Sequence, residues 1–321
     1  MIDRIEATCA GIRLEEFVEG YRDSLIGTGA RDRGVRISWA GSVTPIPRLG
    51  VTHEECNLVT RSRVRARILL VAAGLAAMTA FATFAVGLER LALWQVIRTC
   101  IVDYKLTGAP FPCLRVDLSG GDERGDIVLR PPLLHDMILA PTRKVVGVED
   151  PLLQSPDAPN YFAAAWRARS LLKSPGGRGP DWDEVGLVVN PAVVRHQDQL
   201  HIHVGCLLPA VKRALAAAAP EVPIGEWERL PGVVRHLVFW GTRVRGADLA
   251  DVEPFRLVAE ALADKVRDRA KLTIMVAGVR VAGEDGFLIL ASYVGAPHSW
   301  WPVGVEDLLD PDCRAEPGVS G

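Results

Sequence analysis

The segment Arg195–Cys206, RHQDQLHIHVGC, places two histidines one residue apart in an otherwise apolar run. On a β-strand side chains alternate between faces, so His201 and His203 project together with Gln199 and Gly205, while Leu200, Ile202, Val204 and Cys206 face the other way. The first face carries polar, reactive groups; the second has the composition of a core. A paired histidine on a strand is often purely structural. Neutral imidazoles at alternate positions also ligate zinc, with His196 as a recruitable third ligand. Against zinc, Cys206 points away from the histidine face, no HxHxDH run is present, and no glutamate follows at the spacing of a cupin-type strand. A nucleophilic imidazole explains more of the neighbourhood. Neutral histidine attacks phosphorus to give a phosphoramidate that water then cleaves, so one difficult displacement becomes two easier ones. Gln197 and Gln199 close by, and Asn190 at the end of the preceding strand, are candidate donors to the phosphate oxygens.

The elements that must position these groups are legible from local pattern. DIVLR and HDMILAP read as strands separated by Pro131 and Pro132 in a hairpin-like connection, and EVGLVVN as a strand ending at Asn190. QLHIHVGCLL, LVFWGTRV, LTIMVAGVRV and FLILASYV add four more. Helices are expected at LALWQVIRTC, at DAPNYFAAAWRARSLLK with a capping residue and Pro159 near its first turn, at PAVKRALAAAAP between prolines, and at PFRLVAEALADKVRD. Neighbouring strands with segregated helices indicate an α+β fold rather than an alternating parallel sheet. Neither a GxGxxG fingerprint nor a GxxxxGK[ST] loop is present, which removes support for the common nucleotide folds.

At 321 residues, with 49% hydrophobic content, the chain can build one large domain or two small ones around a real core. The formal charge of −2 gives no electrostatic case for a nucleic-acid partner. Residues Ile68 to Leu88 contain no charge over 21 positions, which at helical rise extends roughly 31 Å and spans a bilayer. Arg61, Arg63, Arg65 and Arg67 immediately precede this run, so the positive-inside rule keeps the N-terminus cytoplasmic and sends everything after Leu88 outside. A buried core helix would leave the basic flank without a role. A cleaved signal peptide has small residues to use near Ala82 and Ala85, but Glu89, Arg90, Leu91, Trp94 and Ile97 continue the helical spacing, which favours an uncleaved anchor over residues 67–89. Residues 1–66 are then either a short cytoplasmic tail or an upstream extension from a misplaced gene start near Val59 or Val64. Residues 90–321 form the outer domain.

Cys100, Cys113, Cys206 and Cys313 all follow the apolar run, an even number in a compartment that permits disulfides. The short loop from Cys100 to Cys113 favours pairing those two, and Cys206 with Cys313. Cys9 and Cys56 fall on the other side of the membrane and are incidental.

RHQDQLHIHVGC resembles the core motif of the bacterial CDP-diacylglycerol diphosphatases, a membrane-anchored branch of the histidine triad superfamily. LWQVIRTC with the later Pro112 and Cys113, MILAPTRKVVGVEDPLL, NYFAAAWRAR, VVNP and the late DPDC fall in the order of that family. The resemblance covers about residues 90–313 and implies a histidine-triad-like antiparallel sheet with flanking helices, preceded by one transmembrane helix. The superfamily motif is His-apolar-His-apolar-His with the middle histidine as nucleophile. Matched from the right, His201 takes the middle position, His203 the last and Gln199 the first, an amide where the full triad has histidine. The implied reaction is hydrolysis of membrane-borne CDP-diacylglycerol to CMP and phosphatidate through a cytidylyl-histidine, without metal or cofactor, on the outer side of the inner membrane.

Arg143 and Lys144 are candidates to hold the pyrophosphate, or ordinary solvated basic residues. Trp300 and Trp301 suit the membrane interface or simple packing. Tyr161 and Trp166 read as core rather than as a cytosine platform, and His135, His236 and His298 have no motif context. Superfamily relatives often pair, so a homodimer is an option, though no interface pattern stands out. Three alternatives stay open: a hydrolase or nucleotidyltransferase acting on a soluble nucleotide, a metal hydrolase, and a non-catalytic envelope binding module.

Overall fold

The computed structural model describes residues 69, 90–131, 137–174, 177–234, 237–296, 304–310 and 312–313. The expected anchor therefore lies outside the described residues except for Leu69, as do residues 1–66, Trp300, Trp301, His135, His236 and His298. Among the described residues no helix is long and apolar enough to cross a membrane.

From residue 90 onward the chain builds one sheet. Its strands are β1 (Arg115–Asp117), β2 (Asp126–Leu129), β3 (Met137–Pro141), β4 (Val185–Val189), β5 (Ile202–Leu207), β6 (Glu228–Val234), β7 (Leu237–Arg245), β8 (Leu272–Val281), β9 (Glu284–Tyr293) and β10 (Leu309–Asp310). The order is β1-β2-β3-β5-β4-β8-β9-β7-β6, with β10 added on β5, and every ladder is antiparallel. Among the described residues four helices flank it: α1 (Ala92–Thr107), α2 (Tyr161–Ala168), α3 (Pro209–Ala218) and α4 (Pro254–Ala261). The α+β expectation is met, with strands grouped into hairpins and helices laid on the faces.

Strand alternation sorts the core into layers. Val128, Leu139, Leu187, Ile202, Val204 and Ile289 face α2 and α4. There Trp166 packs edge-on to Trp182 and Phe287, both at 4.8 Å between ring centroids, and Phe162 meets Phe255. The opposite face divides between α1, which buries Leu93, Ile97 and Cys100 over Ile127, Leu129 and Ile138, and α3, whose Val211 and Leu215 join Val188, Met275 and Leu290. Each such side chain, fully buried, stabilises the fold by roughly 1.5–3 kcal/mol.

Local chemistry sets the helix ends. The Asn160 side chain accepts the Ala163 N–H at 2.9 Å and so caps α2, three residues beyond Asp157, where DAPN begins. Pro209 occupies the first turn of α3, where its missing N–H costs nothing. Gly108 ends α1 in the left-handed region, φ 75°, and its N–H returns to Tyr104 O. Two disulfides, Cys100–Cys113 and Cys206–Cys313, tie α1 to the approach of β1 and β5 to the segment after β10. These are the pairings that the short-loop reading favours.

Candidate active site

Strand β5 lies inside the sheet, held by β4 on one side and by β3 and β10 in succession on the other. His203 is paired with Ile138 and Val188 in register and is only 4% exposed. The alternation reading expects one polar face on this strand, and the structure departs from that beyond His203. Gly205 lies opposite Gly186 on the histidine side, and Leu309 packs over both: a Cβ at Gly186 would stand 2.8 Å from Leu309 Cδ2. The polar face is thus confined to the first residues of the segment, and its continuation is core.

His201 stands one residue ahead of β5, half-buried at the sheet end where the loops after β3 and β4 converge. Its Nδ1 is 2.8 Å from the Gln199 carbonyl oxygen. A carbonyl only accepts, so Nδ1 carries the proton and Nε2 keeps its lone pair. The His203 ring lies 5.1 Å away, centroid to centroid, at 63°. Burial pushes the His201 imidazole down to about 3, aided by repulsion from His203, Arg195 and His196 and opposed by the Gln199 hydrogen bond. The ring keeps an opening to solvent, yet enough protein surrounds it that the charged form is strongly disfavoured. It is a neutral imidazole with one free nitrogen, the form a nucleophile needs.

Gln199 is fully buried, and both polar atoms of its amide are bonded inside the protein. Nε2 donates to the Pro141 and Arg143 carbonyls at 3.2 and 2.9 Å, and Oε1 accepts the Val145 N–H at 3.3 Å. The amide at the first motif position therefore ties the loop after β3 to the histidine strand. Gln197 accepts the Leu93 N–H at 2.8 Å and so satisfies an orphan donor at the start of α1. Asn190 does line the His201 cleft; its oxygen accepts the Val305 N–H at 3.0 Å, and its NH2 group is the donor it can offer an anionic ligand. Arg143 and Lys144 do not line that cleft; Arg143 leans toward Glu123 at 3.6 Å and Lys144 is exposed. Tyr161 and Trp166 are each 1% exposed, as core residues are. Cys206 is joined to Cys313 and is not available as a ligand.

Sequence reasoning missed Arg195, the first residue of the motif itself. Its guanidinium is buried beside His201 and held by Glu149 in a two-pronged pair, 2.7 and 2.6 Å. Gly147 makes room for it, since a Cβ there would stand 2.7 Å from Arg195 Cζ. The available signal was a charged residue at each end of an apolar context, in VVGVED and in RHQDQ, but their pairing spans 46 positions. A separate cleft of about 290 Å³, lined by Asp117, Ser119, Arg124, Asp126, Tyr161 and Arg167 among others, contains none of the histidines.

Comparison with known proteins adds the decisive observation: the family described as CDP-diacylglycerol pyrophosphatase matches residues 88–317. The chain belongs to that family. Among curated relatives, CDP-diacylglycerol pyrophosphatase of Yersinia pestis is 31% identical over 232 residues, covering 70% of this chain and 85% of the relative. That of Mycobacterium tuberculosis H37Ra is 31% identical over 228 residues, covering 70% and 83%. A probable CDP-diacylglycerol pyrophosphatase of Mycobacterium leprae is 28% identical over 233 residues, covering 72% and 83%. All the site residues discussed above lie inside the stretch that the pyrophosphatase family matches.

Proposed function

We propose that this protein hydrolyses the pyrophosphate of CDP-diacylglycerol to CMP and phosphatidate, with His201 Nε2 as the nucleophile. The observation that carries the reading is the Nδ1 hydrogen bond to the Gln199 carbonyl, which leaves Nε2 unprotonated within a family of pyrophosphatases. The Nε2 lone pair attacks the phosphorus that bears cytidine, and the bond from that phosphorus to the phosphatidate oxygen breaks with its electron pair. Phosphatidate leaves, and the imidazole carries the cytidylyl group as a cation whose Nδ1–H still rests on the Gln199 carbonyl. Water then attacks the same phosphorus and gives up one proton to solvent, the N–P bond returns its pair to Nε2, and CMP departs with the water-derived oxygen as its P–OH group.

The neighbouring groups divide the remaining work. Arg195, fixed by Glu149, lines the same cleft as His201, and its guanidinium is suited to the anionic phosphoryl oxygens. The Asn190 NH2 group is a second donor on the same cleft. His203 lies against the His201 ring and restricts its tilt. The lipid substrate is met at a membrane surface, with residues 67–89 as the anchor and the disulfide-bonded domain on the oxidising side; the uncharged run, its arginine flank and the two disulfides support this arrangement.

Incubation of wild-type and His201→Ala protein with cytidine-labelled CDP-diacylglycerol tests the chemistry. Acid-labile label is expected on the wild-type protein alone, together with release of CMP. Undiminished turnover by His201→Ala would overturn the nucleophile, and turnover of dinucleoside polyphosphates in preference to the lipid would overturn the substrate.

A further inference from the structure

The residues that directly follow the apolar run do more than connect it to the domain. Arg90 donates from Nε to Asp198 Oδ2 at 2.7 Å and from Nη2 to Oδ1 at 2.6 Å. The Asp198 N–H returns to the Arg90 carbonyl at 2.9 Å, and the Leu93 N–H reaches Gln197 Oε1 at 2.8 Å. Four hydrogen bonds thus join residues 90–93 to residues 197–198, about a hundred positions later in the chain.

What lies immediately beyond those two residues makes the contact consequential. The peptide group between Gln199 and Leu200 gives its carbonyl to His201 Nδ1 and its N–H to the Val145 carbonyl at 2.6 Å. That carbonyl selects the His201 tautomer. Downstream it is held by the loop after β3; upstream its orientation is set by residues 197 and 198, which have their grip on α1. Asp198 also stands 3.5 Å from Arg195 Nη2, so the same carboxylate touches the cation of the cleft. Arg90 holds the Asp198 carboxyl below the usual carboxylate range, through the hydrogen bond first and charge second, so the pair stays ionised at neutral pH.

We propose that the bonds of Arg90 and Leu93 to Asp198 and Gln197 act as a latch that positions the Gln199 carbonyl and through it the His201 ring, which makes Arg90 and Asp198 positioning residues for the hydrolysis. Neither touches the reacting phosphorus. The pair is about one-third exposed on each side, so its direct worth to stability is small. Its effect on the reaction is larger, because a displacement of about 1 Å at a nucleophile costs on the order of 10²-fold in rate. The loop that carries His201 is then tied to the first turn after the expected anchor, and breaking that tie lowers the rate without removing the site.

This inference rests on the reading of His201 as the nucleophile, and the test keeps the two apart. The full-length chain in detergent is compared with Asp198→Ala, Arg90→Ala and the swapped pair Arg90→Asp with Asp198→Arg. Each single variant is expected to lower kcat by roughly 10- to 100-fold with KM changed less than about threefold, and the swapped pair to recover roughly tenfold of it. A second readout needs no substrate: the rate at which diethyl pyrocarbonate modifies His201, followed by peptide mass, is expected to rise about threefold or more when the latch is broken. Unchanged kcat and an unchanged modification rate in the single variants would overturn the latch. So would a loss of kcat accounted for wholly by a lower folded fraction and not recovered by the swap. If His201→Ala retains turnover while the modification rate still responds to Asp198→Ala, the nucleophile falls and the latch stands as a positional contact.

Discussion

Replacing Gln199 with leucine separates two roles that one amide could have. The structure commits its side chain to three bonds inside the protein, two given to the Pro141 and Arg143 carbonyls and one taken from the Val145 N–H. Leucine has similar bulk and none of the polar atoms. Each lost bond costs about 1 kcal/mol, and the buried Val145 N–H left without an acceptor adds on the order of 1 kcal/mol more, partly offset by the apolar gain. A net loss of about 3 kcal/mol lowers the melting temperature of a domain this size by roughly 6–12 °C. The assay is thermal unfolding of wild type and Gln199→Leu in the same detergent buffer, with kcat and KM measured below the transition. If Gln199 instead serves the substrate as a direct donor, KM rises and the melting temperature stays put. A melting temperature within about 2 °C of wild type would therefore refute the assignment of Gln199 to the loop after β3.

Three further outcomes follow. Burial takes the His201 imidazole from its ordinary 6.5 down to about 3, so the nucleophile stays neutral and kcat/KM should hold through pH 6.5; an acid limb centred between about 6 and 7 would show an ordinary, solvated ring. The unfolded chain binds the extra proton between those two values, so His201 weakens the fold as pH drops through that window and has no such effect above it. The Cys206–Cys313 bridge closes 107 residues and Cys100–Cys113 only 13, so the double serine variant of the first should lose about 5 kcal/mol and that of the second about 3 kcal/mol in denaturant titrations, a ranking that equal midpoints would contradict.

Much of the sheet was legible because its central strands carry their signal locally. LTIMVAGVRV and FLILASYV are long β-branched and aliphatic runs, and β8 and β9 pair along their full length. The neighbouring of the two histidine rings and the cysteine pairing were equally readable, since one depends on local spacing and the other on chain separation. What escaped was short or irregular: β10 has two residues and β6 contains Pro231 and Gly232, a pair that reads as a turn. Helix lengths also shifted. α2 ends at Ala168 in a tighter turn over Arg169–Leu171, and α1 runs on to Thr107, seven residues past Cys100. The partners of Gln199 and Arg195 were out of reach because they lie at the end of β3 and in the loop after it, some fifty positions away, and no local period encodes such a contact. Gln197 shows the opposite limit: its place in the motif suggested a phosphate donor, while its oxygen bonds the start of α1.

The covering of Gly186 and Gly205 by Leu309 bears on how truncation would act. β5 receives β3 along its first half, but its second half is completed by Leu309 and Asp310, and Asn190 by Val305. A chain cut before residue 305 therefore keeps every residue that lines the His201 cleft, yet lacks the two-residue strand that covers the glycine pair. Such a chain leaves the glycine stretch of β5 and β4 open to whatever apolar surface it meets first.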